Sequence, residues 1–340
     1  AAIISGPLCA GLIRIGHRLG ALDGPGVAGQ VKEAARRVPN TGGIGIVAAF
    51  VLPLAGLLAA VHLAPGLDGT LRGIAPALAD ALATHAPGIR LRTPLALVFL
   101  VAILALHILG VIDDRRPLGP WIKLGAILAA ATAVALTDQT RLLTLLDSHV
   151  GGPWLSVLIT VLWIGVVTNA FNFMDNMDGL SAGSALCAAS CFLGAALVNQ
   201  QWFIAGLLAL LIGALLGFLL FNFPPARLFM GDGGSLVIGF ILAVLTVRTT
   251  YYAPAGITGE GQAITPAGSG WHVVFMPLII LAVPLYDFLS VVAIRLSQKR
   301  SPFVGDLNHF SHRLVRRGLS KRAAVLVIWG FTLITGISGV

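Results

Sequence analysis

The chain alternates between long apolar runs and short polar segments, and the runs set its architecture. A helix needs about 20 apolar residues to cross roughly 30 Å of hydrocarbon. Ten stretches approach that requirement: 1–13, 42–64, 94–112, 121–137, 153–171, 179–198, 202–222, 234–250, 272–296 and 322–340. The first is short and reads as a truncated span. It also lacks the basic leader and small-residue cleavage site of a signal peptide. No internal repeat is visible. The pattern predicts an all-α, polytopic transmembrane bundle of about ten spans, with residues 1–340 forming a single integral membrane domain.

Composition sharpens this picture. The chain has 340 residues, 57% of them hydrophobic and 11% charged, with a mean hydropathy of +0.92. Soluble domains carry about 25% charged residues, and the low-hydrophobicity signature of disorder is absent. Cys9, Cys187 and Cys191 all sit in apolar runs, an odd set without zinc-like spacing, which argues against a disulfide framework or a zinc site.

The net charge of +8 lies between the apolar runs, so it reads as a topology signal and predicts no nucleic-acid partner. One side would hold 17 of the 22 basic residues: Arg14, Arg18, Lys32, Arg36, Arg37, Arg115, Arg116, Lys123, Arg227, Arg295, Lys299, Arg300, Arg313, Arg316, Arg317, Lys321 and Arg322. The other would hold Arg72, Arg90, Arg92, Arg141 and Arg248. The richer side is predicted to be cytoplasmic. It also collects Asp23, Glu33, Asp113, Asp114, Asp175, Asp178, Asp232 and Asp306. The external segments 65–93, 138–152 and 251–271 contain no concentrated cluster of acid, His or Cys.

Four polar strings on the basic side carry the candidate chemistry. The third span ends in Asp113-Asp114-Arg115-Arg116-Pro117, with Lys123 opening the next helix. Adjacent carboxylates repel, so the pair wants a cation, although a solvated helix end with Asp–Arg pairing would look the same. The fifth span runs into Asn169-Ala-Phe-Asn172-Phe-Met-Asp175-Asn176-Met-Asp178-Gly179. Asn169, Asn172, Asp175 and Asp178 recur every third residue, a spacing that places them along one side of a helix. Interhelical hydrogen bonding explains one or two such residues better than four.

The string Phe229-Met-Gly231-Asp232-Gly233-Gly234-Ser235 opens the eighth span. Its glycines let backbone N–H groups approach an anion at a helix N-terminus, and Asp232 suits a magnesium ion bridging to phosphate. Phe229 fits either an interfacial anchor or a base-stacking platform. The last basic loop contains Asp306, His309, His312 and Arg313, suited to gripping phosphate, with contact to anionic membrane lipid as the alternative. Asp287, inside the ninth span, is a functional suspect or a kink-stabilising partner of Arg295. His62, His85, His107, His149 and His272 are expected to be structural.

Acids, amides, cations and a glycine loop on one face suit metal-assisted transfer at phosphate. Two phosphate charges about 4 Å apart repel by roughly 4 kcal/mol at an effective dielectric of 20, about three decades in rate. Cations are therefore needed at such a site.

In this order the strings resemble the polyprenyl-phosphate N-acetylhexosamine-1-phosphate transferases, a family that includes the muramoyl-pentapeptide transferase of peptidoglycan synthesis. The match runs from Arg36-Arg37-Val-Pro39-Asn-Thr-Gly42-Gly43 to the His309–His312 loop. The resemblance implies that a polyprenyl (undecaprenyl-type) phosphate attacks the β-phosphate of a UDP-N-acetylhexosamine, releasing UMP and starting cell-envelope glycan synthesis. It implies Mg2+, with Mn2+ as an alternative ion, held by Asp232 and Asn172. Asp113 would activate or position the lipid phosphate, with Asp114 beside it. Asp175 and Asp178 would meet nucleoside and sugar, and Phe229 would lie against uracil. Arg36, Lys123, Asn169, His309, His312 and Arg313 would bind substrate. A bacterial inner-membrane location with a cytoplasmic-face site is implied, and a homodimer is compatible with it.

The muramoyl-pentapeptide enzymes carry three consecutive histidines in the last loop, where this chain has His309-Phe310-Ser311-His312-Arg313. That form is closer to the GlcNAc-1-phosphate branch and points to UDP-GlcNAc. Among rival readings, a CDP-alcohol phosphotransferase fits Asp175, Asp178, Gly179 and Ala182 but fails at Gly183. A transporter would place its polar groups at span centres, and an inactive scaffold would not need the intact acids.

Overall fold

A computed structural model describes residues 1–24, 36–137, 140–249 and 272–340. Lys32 and Glu33, counted above, lie outside the described residues. The described chain is helical: α1 (Ala2–Leu19), α2 (Gly42–Ile74), α3 (Pro76–Asp113), α4 (Pro120–Leu136), α5 (Asp147–Val150), α6 (Trp154–Met174), α7 (Leu180–Val198), α8 (Trp202–Asn222), α9 (Asp232–Thr249), α10 (His272–Ile280), α11 (Ala282–Ser297), α12 (Phe310–Arg316) and α13 (Lys321–Gly339). Seven of these, namely parts of α2 and α3 with all of α6, α7, α8, α9 and α13, are long and apolar enough to cross a membrane.

Two expectations change. The 65–93 segment, expected as an external loop, instead prolongs two helices, so α2 and α3 have 33 and 38 residues and lengths of about 50 and 57 Å. Their Ala- and Leu-rich sequence has high helix propensity, and Pro76 starts α3 at a position where its missing N–H is harmless. The 272–296 stretch is not one helix. It breaks at Leu281 between Pro277 and Pro284, whose rings remove backbone donors on either side of the joint.

Helix α9 is the axis of the packing, with 94% of its apolar window buried, against α2, α3, α6 and α7. Small residues permit this. A Cβ on Gly239 would come within 2.8 Å of the Thr168 backbone on α6. Phe50, Phe99 and Phe240 meet edge-on and tilted at 6.0–6.2 Å to join α2, α3 and α9. On α13, the Trp329 indole lies against Gly183 of α7 and donates to Gly179 O at 3.2 Å. The outward side of α3 exposes Leu97, Val101, Leu104 and Ile108, as a lipid-facing surface requires.

At the basic end, residues 39–43 run beside 229–230. Phe229 N donates to Pro39 O at 2.8 Å, Gly42 N to Phe229 O at 2.8 Å and Gly43 N to Met230 O at 3.0 Å. This seam brings the start of α2, the end of α3 and the start of α9 to one place.

Candidate active site

The end of α3 delivers Asp113 and the start of α9 delivers Asp232, and both reach the ammonium of Lys123 on α4. Lys123 Nζ donates to Asp113 Oδ2 at 2.9 Å and to Asp232 Oδ2 at 2.8 Å. Leu118 N donates to the other Asp113 oxygen at 2.8 Å. From α6, Asn172 Nδ2 donates to Asp232 Oδ1 at 3.0 Å and to Ser235 Oγ at 2.9 Å. Two carboxylates from separate helices therefore share one cation, flanked by an amide and a hydroxyl.

Asp114 makes a contact that the sequence did not predict. The glycine-rich start of α9 does offer backbone N–H groups to an anion, but that anion is the Asp114 carboxylate. It accepts from Asp232 N at 3.0 Å and Gly233 N at 3.4 Å. Asp114 keeps an exposed edge, but desolvation where its carboxyl meets α9, then the neighbouring Asp232 carboxylate, push that carboxyl up to about 7, against those N–H groups. Gly110 makes this approach feasible, since a Cβ there would enter the Asp232–Gly233 backbone. Gly231, at φ +69°, turns the chain so that no side chain fills the space of Asp114 Oδ2 and Asn40 Oδ1.

The polar row on α6 is also shorter than its spacing predicts. The helix ends at Met174, and residues 175–179 form a turn closed by Gly179 at φ +71°. Asp178 therefore leaves the row. It pairs with Arg36 and accepts from Ala226 N at 2.9 Å. Asn169 donates back to Gly165 O at 2.8 Å within α6, and Asp175 caps the helix. Phe229 meets the Arg36 guanidinium, 4.9 Å above its ring, a face suited to a flat polar ring once the cation moves.

The last loop forms a second cluster. Asp287 pairs with His309, not with Arg295, which corrects the kink-pair alternative. Arg295 instead grips Asp306 through Nε and Nη2 at 3.2 and 3.3 Å and donates to Pro302 O at 2.6 Å. Burial opposes the charged form of Asp306. The Arg295 guanidinium and the Asn308 donors outweigh it and hold the carboxyl below the usual carboxylate range. His312 is buried beside His309, with ring centroids 6.3 Å apart. Arg313 reaches Ser290 Oγ at 3.2 Å and Tyr286 OH at 3.4 Å on α11. No hydrogen bond among the described residues joins His309, His312 or Arg313 to the Asp113–Lys123–Asp232 group. The connection runs through the end of α6: Phe173 packs against Arg295 and His309, and Asn176 Oδ1 accepts from Ser311 Oγ at 2.6 Å.

Four contributors escaped the sequence reading. His107, taken as structural, binds Gly233 O at 2.8 Å. Ser235, Asn176 and Asn40 are ordinary polar residues whose partners lie far along the chain. For Ser235, Asn176 and Asn40, their places inside the recognised strings are the only signal.

For a divalent cation, the donor chemistry fits. Magnesium takes one or two carboxylates and completes its shell with water and substrate phosphate. Asp232 and Asp113 supply hard oxygens, and Asn172 stands beside Asp232. Asn40 Oδ1 is a buried acceptor without a partner among the described residues. Among those residues no group of three or more His, Cys, Asp or Glu surrounds one point, so substrate oxygens would have to complete the shell.

The glycosyl transferase family 4 model matches residues 96–250, a range that contains Asp113 through Asp232. A Mycobacterium tuberculosis (strain ATCC 25618 / H37Rv) decaprenyl-phosphate N-acetylglucosaminephosphotransferase is 31% identical over 328 residues, 93% of this chain and 74% of the relative. A Bacillus subtilis (strain 168) protein, named for undecaprenyl-phosphate N-acetylglucosaminyl 1-phosphate transfer, is 32% identical over 236 residues, 68% of this chain and 62% of the relative. The Escherichia coli (strain K12) undecaprenyl-phosphate alpha-N-acetylglucosaminyl 1-phosphate transferase is 28% identical over 250 residues, again spanning 62% of the relative. With its acids gathered on one helical end and these relatives along most of its length, the chain belongs to the polyprenyl-phosphate N-acetylhexosamine-1-phosphate transferase family, and it is a membrane transferase.

Proposed function

We propose that this protein transfers GlcNAc-1-phosphate from UDP-GlcNAc to a polyprenyl phosphate of the undecaprenyl or decaprenyl type, releasing UMP. An oxygen of the lipid phosphate attacks the β-phosphorus of the nucleotide sugar. The bond from that phosphorus to the α–β bridging oxygen breaks, and the bridging oxygen leaves with UMP and the bonding pair. The sugar C1–O bond is untouched, and the product is a polyprenyl-diphospho-GlcNAc that starts a cell-envelope glycan.

The observation that carries the reading is the convergence of Asp113 and Asp232 on one cation beside Asn172. Magnesium, with manganese as an alternative, would be held by Asp232 with Asn172 at its side and would neutralise phosphoryl oxygens. Asp113 positions the lipid phosphate, and Lys123 offsets charge on the diphosphate. Arg36 leaves Phe229 to the uracil ring and turns to phosphate, and Asp178 is then free for the nucleoside. The bias of basic residues supports a cytoplasmic-facing site in a bacterial inner membrane. Ser311 supports the GlcNAc branch, because its hydroxyl is committed to Asn176 where the muramoyl enzymes carry a histidine.

Detergent-solubilised protein given undecaprenyl phosphate, magnesium and UDP-GlcNAc tests the reading, with UDP-GalNAc and UDP-MurNAc-pentapeptide in parallel. UMP release that needs lipid, stops with chelator and is lost in Asp113→Asn and Asp232→Ala is expected. Folded protein that releases no UMP with any donor would sink the proposal.

A further inference from the structure

Asp287 is the most completely enclosed acid of the basic end, at 2% exposure, and it lies within the ninth predicted span. A carboxylate buried there is costly unless both oxygens are used. They are: Oδ2 meets His309 Nδ1 at 2.8 Å and Oδ1 accepts from Phe310 N at 2.6 Å. The nearby cation does not compete, because Arg295 spends its guanidinium on Asp306 and Pro302 O. Both oxygens of Asp287 are directed at one imidazole and the peptide that follows it.

An ionised carboxylate can only accept a hydrogen bond. His309 Nδ1 must therefore carry a proton, and Nε2 is the ring position left over. His309 is 4% exposed, and Nε2 has no hydrogen-bond partner among the described residues. Its ring is held edge-on by Phe173 and stands beside His312. Phe173 follows Asn172, the residue that touches Asp232, so the open nitrogen belongs to the same end of α6 as the two-carboxylate centre.

Resting on the function proposed above, the geometry points to Asp287 as the positioning residue of His309, committing Nδ1 so that Nε2 alone faces a phosphoryl oxygen of the nucleotide-sugar diphosphate. When the diphosphate arrives, an imidazolium is held between two anions, Asp287 on one side and the phosphoryl oxygen on the other. A charge-assisted bond of this kind is roughly twice as strong as a neutral one. An amide in place of Asp287 has one acceptor for two donors. To satisfy Phe310 N it must turn its NH2 toward His309, which reverses the tautomer and removes the imidazolium.

The experiment compares kcat and KM for UDP-GlcNAc in the full-length protein, Asp287→Asn, His309→Ala and the double variant. Asp287→Asn is expected to lower kcat on the order of 100-fold, with little change in KM. The double variant should be no slower than His309→Ala alone, because Asp287 has nothing left to position. Losses that multiply, or an Asp287→Asn variant with undiminished kcat, overturn the proposal. Should the variants fail to fold, 15N spectra of histidine-labelled wild-type protein decide, with the His309 signal identified from its diphosphate-dependent shift or from His309→Gln. A protonated Nδ1 supports the assignment, and a neutral Nε2–H ring overturns it. Wild-type protein that releases no UMP refutes the assigned function, whereas the 15N spectrum still reports separately on the Asp287–His309 pair.

Discussion

The end of α6 touches two polar clusters built in opposite ways. Next to Asn172, Lys123, Asp113 and Asp232 keep 24%, 11% and 26% of their side-chain surface accessible, and two acids share one base. Next to Phe173, Asp287 and His309 keep 3% and 5%, and Arg295 and Asp306 keep 3% and 9%. The wetter cluster sets two carboxylates around one ammonium, so under the proposed function it would exchange partners with a metal or a diphosphate. The drier cluster has each charge satisfied within the chain, and exchange there would strand a buried ion. The first cluster has partners it can exchange, and the second fixes the last loop while leaving Nε2 of His309 open.

The sharpest way to break this contrast is at Asp232. Asp232→Ala should lower UMP release on the order of 1000-fold, since metal and phosphate both lose their anchor. A thermal melt should show the fold retained, because the cluster lies at a solvated helix end. A large fall in melting temperature would instead make Asp232 a structural residue.

Gly110→Ala comes next. The new methyl would meet the Asp232–Gly233 backbone, which can move only by shifting the start of α9. A displacement near 1 Å costs about 100-fold in rate, so kcat should fall by that order without any change of a polar group. Gly183→Ala applies the same insult on α7, where the methyl would meet the Trp329 indole of α13. Overpacking of this kind costs about 1–3 kcal/mol. Chemical denaturation should register that loss, while activity per folded molecule is retained. Equal activity losses in the two glycine variants would erase the distinction between site and scaffold.

The smallest effect concerns pH. The Asp306 carboxyl is held below its usual range in the folded state, so its contribution to stability is complete above the unfolded value of about 3.9 and lost as pH falls through the lowered one. Melting temperature should be insensitive to this group from pH 7 to pH 5 and decline in stronger acid. Asp306→Asn should melt lower near neutrality and show a shallower acid decline.

Much of this protein was legible without coordinates. Apolar length marks the seven described helices able to cross a membrane, because backbone groups in a bilayer must bond within their own segment. The adjacent pair Asp113–Asp114, the Asn172–Asp178 string and Asp232 announce themselves as polar groups at apolar ends. Local chemistry is a weaker guide to helix ends: Gly179 closes the turn after α6, yet the expected 272–296 span breaks between Pro277 and Pro284.

What sequence could not assign was partnership. Asp114 and Asp113 are neighbours, yet one caps α9 and the other faces Lys123. Asp287 lies eight residues from Arg295 and is paired with His309 instead. The first outcome depends on which helix ends meet at α9 and the second on how α11 and α12 meet α6 and α13, and close packing of small residues such as Gly110, Gly239 and Gly183 against backbone or indole from distant segments helps to decide such meetings. Burial periodicity acts locally and can be read one residue at a time. Charge pairing acts between surfaces that exist only after the helices have packed.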